Sequence, residues 1–482
     1  MLNKIKKITY ILILVLFLAS CNLDKCKSDN AGLCELERVS NFEIEEDAKI
    51  TVGVFNENYG DDFLSNWDTT FPDFKGLLTY KIVSIDDEDE TLSNISDYDL
   101  LELKSENVPL YLDYLMPFDS SFSSILENEE LYKFSSQINQ DENYFMPFDV
   151  EGLLFAYNKT MLEDFGVDLI DEDGNGLPDA IDSFEKIAEL AKIWRKENIT
   201  YLNEDLDSIF SFPLNDQMAM IPFFQNSDYR LIQGVSAEMM DLDEKLLEAL
   251  DTLEKLGTEK WRFDKSLDND TVWNYDQVLI DQSAPFLLVG NWMYYEHYQT
   301  SKAYELVFTK LPTLNDAELA TISSVSGFVL NKDTKYPNAA NMVLKHIKSA
   351  EGTQVAINNG VIPLINSDLL KVEGFKIDEN TKQQVSAYQY SEASPLQAFE
   401  QNPEIRGWDI FLEIDFRQQF RSVFLKEKSP ELAESEIKAM ISEWLSEKNI
   451  IIEGLNDIKE PLEKDNFDES GKDKDDELGK DN

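Results

Sequence analysis

Short apolar runs alternate with amphipathic stretches over most of this chain. ITVGVF (50–55) has the alternation and β-branched content of a strand, and it ends in Asn56-Glu57-Asn58-Tyr59-Gly60, a polar turn of the kind that opens onto a cleft. A helical pattern runs to about residue 70, Pro72 and Gly76 interrupt it, and LLTYKIVSI (77–85) reads as a second strand. SDYDLLEL, ending at Leu103, reads as a third, with VPLYLDYL helical after it. MPFDVEGLLFAYN (146–158) is a long apolar strand leading into a short helical turn, and DSFEKIAELAKIWRKENI starts a helix whose N-cap is Asp182 or Ser183. SAPFLLVGNWMYYEHY is a buried strand entering a Gly290-Asn291-Trp292 turn, and ELVFTKLPT and SSVSGFVLN are two more strands. NAANMVLKHIKSAEGTQVAINNGVIPLI is a helix pair closed by a Gly-Val-Ile-Pro turn. Strands alternating with helices predict an α/β architecture with largely parallel sheets.

The two ends break this pattern. Residues 1–20 combine Lys4, Lys6 and Lys7 with the short apolar run ILILVLFL and a small-residue site, Leu18-Ala19-Ser20-Cys21, which predicts a removed signal peptide rather than a membrane span. The LASC stretch resembles the bacterial lipobox, so Cys21 is expected to carry lipid and to tether the chain to the outer face of the cell membrane. Residues 21–47 read as an acidic tether and 459–482 as a solvated acidic tail. The three cysteines are Cys21, Cys26 and Cys34; with Cys21 lipidated, Cys26 and Cys34 are left either to close a small disulfide or to stay as thiols.

The formal charge of −51 becomes more negative still when the three leader lysines are removed. Such a field repels nucleic acid and anionic lipid and disfavours an anionic ligand. A hydrophobic content of 43% still provides a large core, and the globular stretch exceeds the ~300 residues at which single cores stop growing, so two lobes are expected. A cysteine nucleophile in the body is excluded, and His297 and His346 alone leave little for a multi-histidine zinc site or a Ser-His-Asp triad. His346, on a helical run, reads as a helix-face residue, and Trp194, Trp261 and Trp444 as core or surface residues.

DEDGNGLPDAID (171–182) places Asp171, Asp173, Asn175, Asp179 and Asp182 at the first, third, fifth, ninth and twelfth positions, with Gly176 at the sixth and the Leu177 carbonyl at the seventh. That is the ligand order of an extracellular calcium loop, set against the plainer reading of a solvent-facing acidic turn. Structural calcium is expected there. Asp182 and Glu185 also have the spacing of a capping box, so the twelfth residue would serve both cation and helix.

Four blocks, in order, resemble the extracellular solute-binding proteins of ABC importers, in the subclass that includes maltose-binding protein. MPFDVEGLLFAYNKTML is similar to that family's crossover between lobes and SAPFLLVGNW to its strand and aromatic turn; SSVSGFVLNKDTKYPNAANMVLKHI resembles the return to the first lobe and SPELAESEIKAMISEW the last helix. The resemblance implies a two-lobe periplasmic-binding-protein type II fold of class α/β. Lobe 1 would comprise 48–149 plus 326–382 and lobe 2 154–322 plus 385–456, with crossover strands near 150–153, 323–326 and 380–390. It implies a monomer that captures a neutral sugar or oligosaccharide by lobe closure, read by an ABC permease. By the same resemblance Glu151 would hydrogen-bond sugar hydroxyls, Trp292 would be a stacking platform, and Asn56, Glu57, Asn58, Glu106 and Asp216 would complete the site.

The sequence departs from the family at the third strand, where a tryptophan position reads Leu103 and an acidic-basic pair reads Glu106 and Asn107, and near Asp216, where an aromatic reads Met218. Trp408, in NPEIRGWDIF, is either the missing ring or a lobe-surface tryptophan. Tyr294 and Tyr295 read as packing residues. SDYDLLELKSENVPLYLDYL also resembles thiaminase I, an enzyme on this fold, but that family uses a cleft cysteine and none lies beyond Cys34. A surface adhesin or interaction protein that kept the fold is a further alternative.

Overall fold

A computed structural model describes residues 44–83, 94–118, 143–197, 199–202, 204–206, 209–211, 216–224, 244–256, 281–292, 295–364, 374–388, 390, 392–393, 398–399, 402–406 and 409–451. The leader, Cys21, Cys26, Cys34, most of the tether, Trp261, Tyr294, Trp408 and the acidic tail lie outside the described residues. No helix among the described residues is long and apolar enough to cross a membrane.

The strands, in chain order, are β1 (Ile50–Val54), β2 (Leu78–Ile82), β3 (Leu100–Lys104), β4 (Leu115–Met116), β5 (Met146–Asn158), β6 (Thr200–Tyr201), β7 (Glu204–Asp205), β8 (Phe210–Ser211), β9 (Phe286–Gly290), β10 (Leu306–Thr309), β11 (Ile322–Asn331), β12 (Glu392–Ala393), β13 (Ala398–Phe399) and β14 (Asn402–Arg406). The main sheet has ten strands, with the path β2-β1-β3-β11-β5-β9-β8. Its first edge is built as βα units: the helix Glu57–Thr70 connects β1 to β2, which pair in parallel. That helix buries Tyr59, Phe63 and Trp67, spaced four apart on one face.

The middle of the sheet corrects the expectation of a largely parallel arrangement. β11 runs antiparallel to both β3 and β5, and β5 runs antiparallel to β9 and β10. The reason is that β5 and β11 are long strands that cross the molecule in opposite directions, instead of returning through a helix to the same edge. The third expected crossover strand, near 380–390, is instead the helix Glu379–Tyr388. Its buried Thr381, Gln384, Val385 and Tyr388 have helical spacing, which strand alternation could not bury on one side. Tyr388 donates its hydroxyl to the Gly152 carbonyl at 2.9 Å, and the two-residue β12 that follows pairs with β11.

Three apolar clusters support this sheet. One packs Trp67, Phe328 and Leu344 around β1 and the helix Pro337–Ile347. A second lies along the sheet's middle, with Val150, Leu154, Phe308, Val325 and Tyr388. The third joins Phe155, Ile187, Trp194 and Phe286 to Ile441 and Trp444 of the last helix, Pro430–Glu447. Trp194 and Trp444 are therefore core residues, which decides between the core and surface readings the sequence left open.

The register of β11 against β5 shifts between Ser326 and Gly327. A Cβ on Gly327 would lie 2.2 Å from the Met146 carbonyl oxygen and 2.6 Å from the Phe145 ring, so only glycine lets the strands approach here. Gly327→Ala is expected to destabilise the protein by about 1–3 kcal/mol, the usual range for overpacking a filled core. Equilibrium denaturation checks this, and wild-type stability in the variant would refute the steric reading.

Candidate functional site

Ser324 and Ser326 stand two residues apart on β11, so both side chains leave the same face of the sheet. Carboxylates flank them on both sides. From the β3 side, Glu102 accepts from Ser326 Oγ at 2.8 Å, and Glu106, in the turn Ser105–Asn107, accepts from Ser324 Oγ at 2.9 Å. From the β5 side, the register sets Asp149 opposite Ser326 and Glu151 opposite Ser324. The second oxygen of Glu102 accepts from the Phe55 amide at 2.9 Å, which ties the end of β1 to β3. Asp149 accepts from the Ile362 amide at 2.8 Å, which holds the turn after the helix Ala350–Asn358 against β5.

These groups border a cavity of about 240 Å³ whose wall includes Asn56, Tyr59, Glu102, Asp149, Glu151 and Ser326. Glu102 is buried, Asp149 half-buried and Glu151 exposed. Burial pushes the Glu102 carboxyl up to about 7; the hydrogen bonds from Phe55 and Ser326 oppose the rise and the charge of Glu151 adds to it. Burial, followed by Glu151, also raises Asp149 well above the usual carboxylate range. The Tyr59 hydroxyl is raised in turn, by burial and then by Glu102.

The residues expected from the sequence are only partly brought together. Glu151 and Asn56 line the cavity. Asn56 also caps the helix Glu57–Thr70, its side chain accepting from the Tyr59 amide at 3.1 Å. Glu57 and Asn58 lie in that helix's exposed first turn and are not in the cavity wall, because the chain is already helical there. Glu106 reaches the site through Ser324. Asp216 is elsewhere: it accepts from the Met218 amide at 2.8 Å at the start of the helix Gln217–Phe224, and burial raises its carboxyl against that bond and the charge of Arg417. Residues missed by the sequence reading are Glu102, Asp149, Ser324, Ser326 and Tyr59; alternation within LLELK and SSVSG was the available signal for Glu102 and the serines.

Trp292 is 50% exposed and does not line this cavity. Its ring lies over Gly290, where a Cβ would approach it to 2.3 Å. Asn291 fastens the same turn to β5, donating to the Val150 carbonyl at 2.8 Å and accepting from the Gly152 amide at 3.3 Å. The turn that carries Trp292 is thus bonded on either side of Glu151.

The acidic loop gathers Asp171, Asp173 and Asp179, whose oxygens come within 4.8 Å of one another, and the loop is not in the cavity wall. Gly174 and Gly176 have φ of 73° and 91°, conformations that suit glycine and produce the tight turn. Asn175 donates its side-chain amide to Asp173, and buried Leu177 anchors the loop in the core around Phe155 and Ile187. The backbone amide of Asn175 is the main cause of a lowered Asp173 carboxyl. Asp182 departs from expectation. It takes Lys186 Nζ at 2.7 Å instead of joining the cluster, and the capping box does not form: Ser183 Oγ accepts from the Lys186 amide while Glu185 accepts from the Asn315 amide. A lysine one turn on in the helix supplies Asp182 with a counter-charge. His346 is buried among Phe63, Trp67 and Phe71, hydrogen-bonded to Asn66, and burial lowers its pKa to about 4, so it is a neutral core residue.

The ordinary value for a glutamate is 4.5, against about 7 for folded Glu102. Between those values the folded form keeps a proton that the unfolded chain has released, so this group's contribution to stability is present at low pH and is lost as pH rises toward 7. Relative to wild type, Glu102→Gln is therefore expected to remove a decline on the order of 3 kcal/mol between about pH 4.5 and 7. Parallel stability profiles for the two proteins across that range would refute it.

No protein-family model matches the sequence, and no curated protein matches it significantly. Solved structures do match in fold. A maltose-binding periplasmic protein of Listeria monocytogenes in complex with maltose superposes with a TM-score of 0.61 at 16% identity, covering 84% of this chain and 99% of that one. An extracellular solute-binding protein of Staphylococcus aureus in complex with maltose gives 0.62 at 15% identity, covering 83% and 99%. A cyclo/maltodextrin-binding protein complexed with maltotetraose gives 0.60 at 16%, covering 84% and 99%. The chain has the two-lobe α/β fold of the maltose-binding type of extracellular solute-binding protein.

Proposed function

We propose that this protein is a lipid-anchored, extracytoplasmic substrate-binding protein of an ABC importer, and that it captures a sugar or oligosaccharide by closure of its two lobes. The observation that carries the reading is the polar cavity on the crossover strands β5 and β11, in a fold whose solved examples hold maltose and maltotetraose. Hydroxyl-rich ligands suit such a wall, because Glu102, Asp149, Glu151, Ser324 and Ser326 offer acceptors and hydroxyls where the two crossing strands meet. Trp292, held beside Glu151 by the Asn291 clamp, supplies a half-exposed ring face on which a sugar can stack. The lipobox at Cys21 supports the anchor, and the fold itself supports a permease that reads the closed form. A thiaminase-like activity is disfavoured, since every cysteine precedes the globular region.

Titration calorimetry of the mature protein against mono- and oligosaccharides, peptides and thiamine is expected to find a sugar ligand. Trp292→Ala should weaken that ligand about tenfold with little change in melting temperature. Binding of peptides or turnover of thiamine, with no sugar bound, would overturn the reading.

We further propose that the loop 171–182 is a structural calcium brace, supported by its ligand spacing and by the convergence of Asp171, Asp173 and Asp179. Lone extracellular sites bind at roughly 10⁻⁴–10⁻³ M, so 5 mM calcium, a probe concentration about 5–50 times that, should stabilise by about 1–2 kcal/mol. The increment should vanish in Asp173→Asn; a melting temperature indifferent to both calcium and chelator removes the brace.

A further inference from the structure

The cavity beside β11 is unusual in its balance of charge. Three carboxylates, Glu102, Asp149 and Glu151, stand in its wall, and none of the three forms an ion pair among the described residues. Among the described residues of the same wall Lys104 is the single cation. The backbone and serine donors already described engage both oxygens of Glu102 and one of Asp149 but supply no positive charge. A second observation is independent of the acids. Tyr59 is 1% exposed and lines the same cavity, and its hydroxyl has no hydrogen-bond partner among the described residues. A buried hydroxyl left in this state costs stability unless something in the cavity completes it.

The aromatic walls favour the same kind of guest. Tyr59 packs against Phe148 with ring centroids 5.0 Å apart, and Phe55 joins them in the wall. Ring faces attract cations as carboxylates do, and both attractions strengthen where water is displaced. A neutral hydroxyl could donate to one carboxylate oxygen here, but it would leave the negative field uncompensated. An ammonium group donates three hydrogen bonds and also cancels charge.

We propose that this cavity receives a protonated primary amine, and hence that the ligand is an amino sugar or an oligosaccharide carrying free amines. The inference rests on the sugar reading of the same site and refines the neutral ligand expected from the chain's overall charge. Glu102 on β3 faces Asp149 and Glu151 on β5 across β11, Lys104 follows Glu102 on β3, and Tyr59 approaches from the helix after β1. An ammonium ion among them favours the ionised carboxylates, so binding should release protons near neutral pH.

Calorimetry on the mature protein would use glucosamine oligomers of two to four units, their N-acetylated counterparts, maltotetraose and spermidine as probes. The amine form and its acetylated form share one carbohydrate frame and differ in charge. The expected result is an amine form at least about tenfold tighter than the acetylated form, with heats that depend on the buffer's ionisation enthalpy. That preference should shrink to under about threefold in Glu151→Gln, whose side chain is exposed, and in Glu102→Gln. Acetylated or neutral sugars bound as tightly as the amines would overturn the ammonium site while leaving the sugar reading intact. Spermidine bound in the absence of any sugar would overturn the sugar reading while upholding the ammonium pocket. Failure of every amine to bind would overturn the proposal outright.

Discussion

Strand β11 is hydrogen-bonded on both sides at once, to β3 and to β5, and the rest of the molecule depends on that double pairing. It joins the β1–β2–β3 end of the sheet to β5, β9 and β10, so the three apolar clusters rest on one continuous framework. It also decides which side chains can meet. Ser324 and Ser326 face one way while Val325 lies in the central core, so three consecutive residues close the core on one side and supply hydroxyls on the other. The glycine at 327 belongs to this design, because the register shift beside it sets Asp149 and Glu151 opposite the two serines.

That arrangement works against stability locally. Carboxylates brought near one another, one of them buried, favour the protonated state, and Glu102 and Asp149 both show it. Nothing in the fold requires acids at these positions, since alternation alone would accept uncharged polar residues on a face that is partly wet. The cost is tolerated because the apolar clusters on either side are extensive and because the Phe55 and Ile362 amides fix the carboxylates without neutralising them. Unfavourable charge held in place by neutral donors is a feature of sites that await a ligand.

The frame was legible in the sequence because its signals are local. ITVGVF, MPFDVEGLLFAYN, SAPFLLVG and SSVSGFVLN form strands where alternation and β-branching place them, and the Gly-Val-Ile-Pro turn follows the helix pair. The third crossover was misjudged because it was taken from the family resemblance, whereas the spacing of Thr381, Gln384, Val385 and Tyr388 is helical. Of the site, Glu151 was legible through the resemblance of MPFDVEGLLFAYNKTML to the family's crossover strand, whereas Asp149, two residues earlier in the same strand, was passed over. Glu102 was not. It sits in LLELK like any alternating strand residue, and its partner Ser326 is 224 residues distant. Asp182 shows the opposite case: the motif assigned it a cation, and a partner outside the motif, Lys186 four residues on, lies at 2.7 Å.

The Asn291 clamp bears on how lobe closure would act. Its bonds to Val150 and Gly152 bracket Glu151, and β9 continues the pairing from Gly290 opposite Leu153. Trp292 is thereby referenced to β5 rather than to the distal helices around Phe184 and Trp444. Glu102 and Ser326 are referenced to the same framework through β11. A change in the angle between lobes that preserves these ladders leaves the floor of the site and its aromatic neighbour in fixed relation. Under the proposed function that floor would be a preformed anchor, holding a ligand while the lobes are open. Closure would then add contacts from residues carried farther out on each lobe. In such a scheme the floor sets which chemical group is admitted, and the distal contacts set how strongly its binding drives the hinge.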